Sequence, residues 1–92
     1  MTLDQAIAPV AAIVVRPVPD GAMLVDLGRG HCWQVNRLGA EIWFLLDGRR
    51  TLREVCEVLR PSYDVAADVI ERDVVTMVED LLTQGMVAVT KP

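Results

Sequence analysis

The sequence predicts an α+β domain of winged-helix-like form, a three-stranded antiparallel meander followed by three α-helices. Two changes of pattern carry that expectation. Residues 10–36 alternate apolar and polar side chains between Pro/Gly turn signals, the period of strands. Residues 36–85 space their apolar side chains three and four apart behind capping residues, the period of helices. Size agrees: 92 residues, 52% hydrophobic and 24% charged, make one small domain with a core. That domain is expected over residues 10–90, with 1–9 as a flexible N-terminal arm.

The first strand, Val10 to Val18, is rich in Val, Ile and Ala and ends in Pro17-Val18-Pro19. Pro19-Asp20-Gly21 is a turn signal, because Pro fixes φ at the second turn position and Gly accepts positive φ. In the second strand, Ala22 to Leu27, Met23, Val25 and Leu27 share one face and Ala22, Leu24 and Asp26 the other. Gly28-Arg29-Gly30 makes a hairpin loop in which either glycine can supply the left-handed conformation. The third strand, His31 to Val35, puts His31, Trp33 and Val35 on one face and Cys32 and Gln34 on the other.

Asn36 is a good N-cap for the first helix, whose stripe is Leu38, Ile42, Leu45 and Leu46 and which Asp47-Gly48 stops. Thr51 and Glu54 form a capping box for the second helix. That helix turns Leu52, Val55, Cys56 and Leu59 inward and ends near Pro61. The third helix is expected from about Asp64 to Gln84, with Gly85 as its C′ residue and Ile70, Val74, Met77, Val78 and Leu81 as its core stripe. Met86 to Val89 closes the domain as an extended tail.

Charge and residue inventory narrow the function. Nine basic against thirteen acidic residues give a net charge of −4, the wrong sign for a nucleic-acid partner. The third helix, where a winged-helix protein would read DNA, holds Asp64, Asp68, Glu71, Asp73, Glu79 and Asp80 against the single Arg72. No apolar run reaches the roughly 18 residues of a membrane span. Ala6 to Val15 contains Pro9 and lacks a signal-peptide pattern, so a cytoplasmic protein is expected. Cys32 and Cys56 are 24 residues apart with only His31 to join them, so they read as small buried hydrophobes rather than metal ligands. His31 and Cys32 are neighbours on a strand and point to opposite faces, and one histidine cannot serve a Ser–His–acid set. Neither a catalytic group, a metal nor a cofactor is expected.

The edge of the meander is the informative feature. The first strand carries Pro17, which removes a backbone donor. The third, His31-Cys32-Trp33-Gln34-Val35, has no Pro, Lys or acidic residue, although natural sheets usually blunt their edges. Such an edge suits an extended peptide adding a fourth strand. It equally suits coverage by the N-terminal arm or by a second copy of the chain.

The run Gly30-His31-Cys32-Trp33-Gln34-Val35-Asn36, then Leu38-Gly39-Ala40-Glu41-Ile42-Trp43, Asp47-Gly48 and Thr51, resembles the PqqD-like family (pyrroloquinoline quinone biosynthesis protein D). The resemblance continues through Tyr63-Asp64-Val65, Asp73-Val74, Leu81 and Gly85-Met86-Val87, over about residues 12–88. Its members are recognition elements for ribosomally made, post-translationally modified peptides, and the Trp-Gln-aliphatic-Asn run is most similar to the stand-alone leader-binding proteins of lasso-peptide pathways. Cys32 stands where relatives often have an aromatic, and Val35 where Leu is commoner.

The resemblance implies a precursor leader peptide pairing with the third strand, in the cleft beside the third helix. On that basis the peptide-binding residues are His31, Cys32, Trp33, Gln34 and Val35 of the strand and Val69, Arg72, Asp73 and Thr76 of the helix. The other flank of that helix, Glu71, Val75 and Leu82, is the competing assignment. Trp33 and Trp43 also read as core. The resemblance further implies a separate leader peptidase, then an ATP-dependent macrocyclase, as partners of a monomer or weak dimer without catalytic activity of its own. The other reading of the sequence is a winged-helix-type regulatory or dimerisation module.

Overall fold

The computed structural model describes residues 2–91. Its elements in chain order are β1 (Ala6–Pro9), β2 (Ile13–Val18), β3 (Gly21–Asp26), β4 (His31–Asn36), α1 (Arg37–Leu45), α2 (Leu52–Leu59), a short 3-10 turn (Arg60–Ser62), α3 (Ala67–Thr83) and β5 (Val87–Lys91). The expected meander is the antiparallel sheet β2-β3-β4, with Leu24 opposite Trp33 and Ala22 opposite Val35. Three helices follow, so the architecture is the α+β one that the change of period predicts.

Alternation decides which side of the sheet is covered. Ala22, Leu24 and Val35 are buried against the helices, whereas Met23, Val25, Cys32 and Gln34 lie on the outer face. α1 packs on β3 and β4, and α3 packs on α1 and α2. Ile42 and Trp43 of α1, Leu52, Val55 and Leu59 of α2, and Ile70, Val74, Val78 and Leu81 of α3 complete one core. Helix starts are set locally. The Asn36 side chain accepts from the Gly39 amide at 2.8 Å, and Thr51 and Glu54 form the reciprocal capping box.

The N-terminal arm differs from expectation. Residues 6–9 are not a flexible arm but a strand, pairing antiparallel with β5 from Ala6↔Lys91 to Pro9↔Val87. A two-stranded ribbon is marginal alone, and here the α1–α2 loop secures it. The Gly48 amide donates to the Ile7 carbonyl at 2.9 Å, Leu52 to Gln5 at 3.0 Å, and the Thr90 hydroxyl to the Gly48 carbonyl at 2.8 Å. Ala6 and Ile7 are completely buried as a result. Met1 lies outside the described residues.

Three smaller corrections concern a turn, a hairpin loop and a helix start. The residue with positive φ in the first turn is Asp20 (61°), not Gly21; Asp tolerates that conformation better than most side chains. Gly21 is needed instead for space, since a β-carbon there would meet the Val35 carbonyl oxygen at 2.0 Å. Leu27 belongs to the hairpin loop and is exposed, and α3 starts at Ala67 rather than near Asp64. Tyr63 is extended, and its hydroxyl donates to Glu41 at 2.9 Å, which keeps the chain out of the helix at that point.

Candidate functional site

β4 ends the β2-β3-β4 sheet. In an antiparallel ladder alternate residues aim their backbone groups at the neighbouring strand, so about half of the β4 amides and carbonyls face away from β3. The ribbon β1-β5 forms a separate sheet, so the N-terminal strand does not cover this edge.

Beside the edge runs a groove of about 350 Å3. Trp33 and Val35 of β4 form one wall, Leu38, Gly39 and Ile42 of α1 the floor, and Asp73, Thr76, Met77 and Asp80 of α3 the far wall, with Asn36 at the corner. Close packing of the floor depends on Gly39: a β-carbon there would come within 2.8 Å of the Val35 Cβ and 3.4 Å of the Met77 sulfur. A second hollow, about 270 Å3, lies between α1 and α2 around Phe44, Leu45 and Val58. Only the larger groove adjoins the β4 edge.

Four of the nine residues expected at the site line this groove: Trp33, Val35, Asp73 and Thr76. His31 is exposed at the hairpin end of β4, opposite Asp26. Cys32 and Gln34 point to the outer face of the sheet, so they offer the edge their backbone and the groove no side chain. Cys32 is therefore exposed and not, as its composition class predicts, a buried hydrophobe; Cys56 is buried, which pushes its thiol pKa up. Val69 is half-buried and Arg72 exposed, and both lie toward the N-terminal end of α3, outside the groove lining. The flank of α3 turned to β4 is that of Asp73 and Thr76, not that of Glu71, Val75 and Leu82.

Met77 and Asp80 are groove residues that the sequence reading missed. Asp80 continues the line of Asp73 and Thr76 at helical spacing, whereas Met77 has the period of the core stripe in which the sequence places it. Leu38 and Ile42 were hidden because a side chain packed under a groove has the same period as one packed in a core. Trp43 is buried in the core, whereas Trp33 is half-buried and shared between core and groove.

The two walls are tied together at one end. The buried Asp26 carboxylate holds the Arg29 guanidinium at 2.9 Å and accepts from the Gly28 and Arg29 amides at 3.0 and 3.2 Å. Arg29 also donates to the Gln84 carbonyl at the C-terminus of α3, where a cation is favoured by the helix dipole. Burial opposes ionisation of Asp26, but the hydrogen bonds and charge of Arg29, with the Gly28 amide, hold its pKa below the ordinary value. Left-handed Gly85 makes room for the guanidinium, since a β-carbon there would lie 3.0 Å from it.

Residues 21–87, from the first residue of β3 to the first of β5, match the family described as Coenzyme PQQ synthesis protein D (PqqD). The chain belongs to the PqqD family. The family resemblance of the Trp33-Gln34-Val35-Asn36 run is thus borne out, and β4, α1 and α3 all lie inside the PqqD match. Among solved structures, lasso peptide synthetase B1 complexed with the leader peptide is 28% identical, with TM-score 0.78 over 89% of this chain and 96% of that one. TbiB1 in complex with the TbiA(beta) leader peptide has the same fold, at 22% identity and TM-score 0.77 over 87% of this chain and 93% of that one. No curated protein sequence matches the chain.

Proposed function

We propose that this PqqD-family protein is a non-catalytic module that binds the leader segment of a ribosomally made precursor peptide of lasso type. The leader adds as a strand to the open edge of β4 and lays alternate side chains in the groove beside α3. The observation that carries this reading is the coincidence of an unblunted strand edge with an apolar groove along it. The 28%-identical lasso peptide synthetase B1 structure, a complex with a leader peptide, supports it.

The energetics assign separate roles to edge and groove. About four backbone hydrogen bonds at roughly 0.5–1.5 kcal/mol net contribute only a few kcal/mol. Association entropy offsets much of that. The backbone therefore sets strand direction and register, and the groove side chains Trp33, Val35, Asp73, Thr76 and Met77 supply affinity and sequence choice. Once held, the leader presents its precursor to a separate leader peptidase in the cytoplasm and then to a macrocyclase. The protein acts there by raising effective concentration. Edge-to-edge dimerisation through β4 would consume the edge the leader needs, so it would compete with leader binding.

The test is a fluorescence anisotropy titration with a labelled leader peptide from a precursor gene adjacent to that of this protein, with a scrambled leader as control. Saturable binding near micromolar or tighter that scrambling abolishes is expected. Equal binding of the scrambled peptide, or none of either, would remove this reading.

A further inference from the structure

The groove has apolar side chains on three sides, but its polar character has one sign. Asp73 and Asp80 line it, and no Lys or Arg does. Among the described residues neither carboxylate takes part in an ion pair. Three carboxylates outside the groove do pair with arginine: Asp47 with Arg50, Asp4 with Arg53 and Glu41 with Arg37. Arg72, the single cation of α3, lies outside the lining.

We propose that the groove selects peptides carrying a Lys or Arg beside the apolar side chain they bury, and that Asp73 and Asp80 read that charge. This rests on the peptide-binding reading of the groove, which the strand edge and the apolar walls define; the carboxylates set its preference. Asp73 and Asp80 are seven residues apart on α3, about 10.5 Å along its axis. Met77 lies between them, across from Trp33. In an extended peptide, side chains on one face recur about every 6.6 Å. An apolar side chain seated between Trp33 and Met77 therefore places its second neighbours on the same face near one carboxylate or the other. A basic side chain there gains a charge-assisted contact. An acidic one meets like charge with no cation to relieve it. Partly exposed pairs of this kind change affinity by about 2- to 5-fold each, enough to choose among peptides with similar anchors.

The experiment is selection of a displayed library of random twelve-residue peptides on the immobilised full chain, run in parallel on the D73N/D80N double variant. Circular dichroism would verify that the variant is folded. Wild-type selectants are expected to share an apolar anchor with Lys or Arg enriched about two residues from it. On the double variant the anchor should persist and the basic enrichment fall to background. Single-peptide titrations should then show a 2- to 5-fold weakening per Asp→Asn, shrinking as salt is raised. An anchor without basic enrichment, or a basic enrichment that survives in the double variant, would overturn the charge proposal and leave peptide binding standing. Failure to enrich any peptide would overturn both.

Discussion

Gly39 on α1 lies so close to Val35 on β4 that a β-carbon on it would sit 2.8 Å from the valine Cβ. That separation is shorter than side chains tolerate, so helix and strand approach only because position 39 has no side chain. The groove floor is set by this contact, with the Met77 sulfur on its far side. Gly39→Ala gains helix propensity, about 0.8–1 kcal/mol, but must push α1 and β4 apart. A net destabilisation of about 1–2 kcal/mol is expected in urea unfolding, together with weaker peptide binding. An unchanged unfolding midpoint would mean that the floor gives way freely.

Trp33 and Cys32 are neighbours in sequence with opposite surroundings, the first in the groove wall and the second on the outer face. Trp33→Ala should weaken leader binding at least about tenfold, as removal of a central aromatic anchor does. Cys32→Ala should leave it within about twofold. Anisotropy titration of both variants decides the matter, and comparable losses would put the peptide on the wrong face of the sheet.

Ile7 tests the N-terminal strand. Completely buried between β5 and the α1–α2 loop, it should cost about 2–5 kcal/mol when replaced by alanine. A flexible arm would lose nothing. Denaturant unfolding of Ile7→Ala distinguishes the two.

The Asp26–Arg29 pair predicts an acid limb of stability. The folded-state pKa of Asp26 lies below its unfolded value of about 3.9, so the unfolded chain binds the proton more readily. Its contribution is present above that unfolded value and is lost as pH falls through the folded one. Thermal melts of the wild type between about pH 5 and pH 2 should therefore fall more steeply than those of Asp26→Asn. Arg29→Ala should lower the melting temperature at pH 7, because it removes both the carboxylate's partner and the tie to Gln84.

How far the sequence carried can be judged residue by residue. Where structure is set by near neighbours the sequence is sufficient, except in the first turn, where Asp20 and not Gly21 takes the left-handed conformation. The alternation Ala22, Leu24 against Met23, Val25 identified the covered face of β3, and Asn36, Thr51 and Glu54 marked two helix starts. It failed where the decisive partner is distant in the chain. Ala6–Pro9 is a four-residue strand with a proline, and only Val87–Lys91, some 80 residues on, makes it one. α3 begins behind Ala66, which offers no side-chain cap, at a point set by the tie of Tyr63 to Glu41. At the groove, Trp33, Val35, Asp73 and Thr76 were legible from strand alternation and the family resemblance. Leu38, Ile42 and Met77 were not, since period alone does not separate a groove from a core.

The pairing of Ala6 with Lys91 also settles where any tether must leave the molecule. Across such a pair the two backbones are about 5 Å apart, and residues 3–5 stay beside them, bonded through the Leu3 and Gln5 carbonyls to the amides of Arg53 and Leu52, so polypeptide attached at either end leaves from the same region of the surface. A dye, tag or enzyme joined at either end would occupy the same station relative to the groove. Swapping a fusion from one terminus to the other should hardly alter its reach, and a circular permutant would need only a few residues to join the old ends.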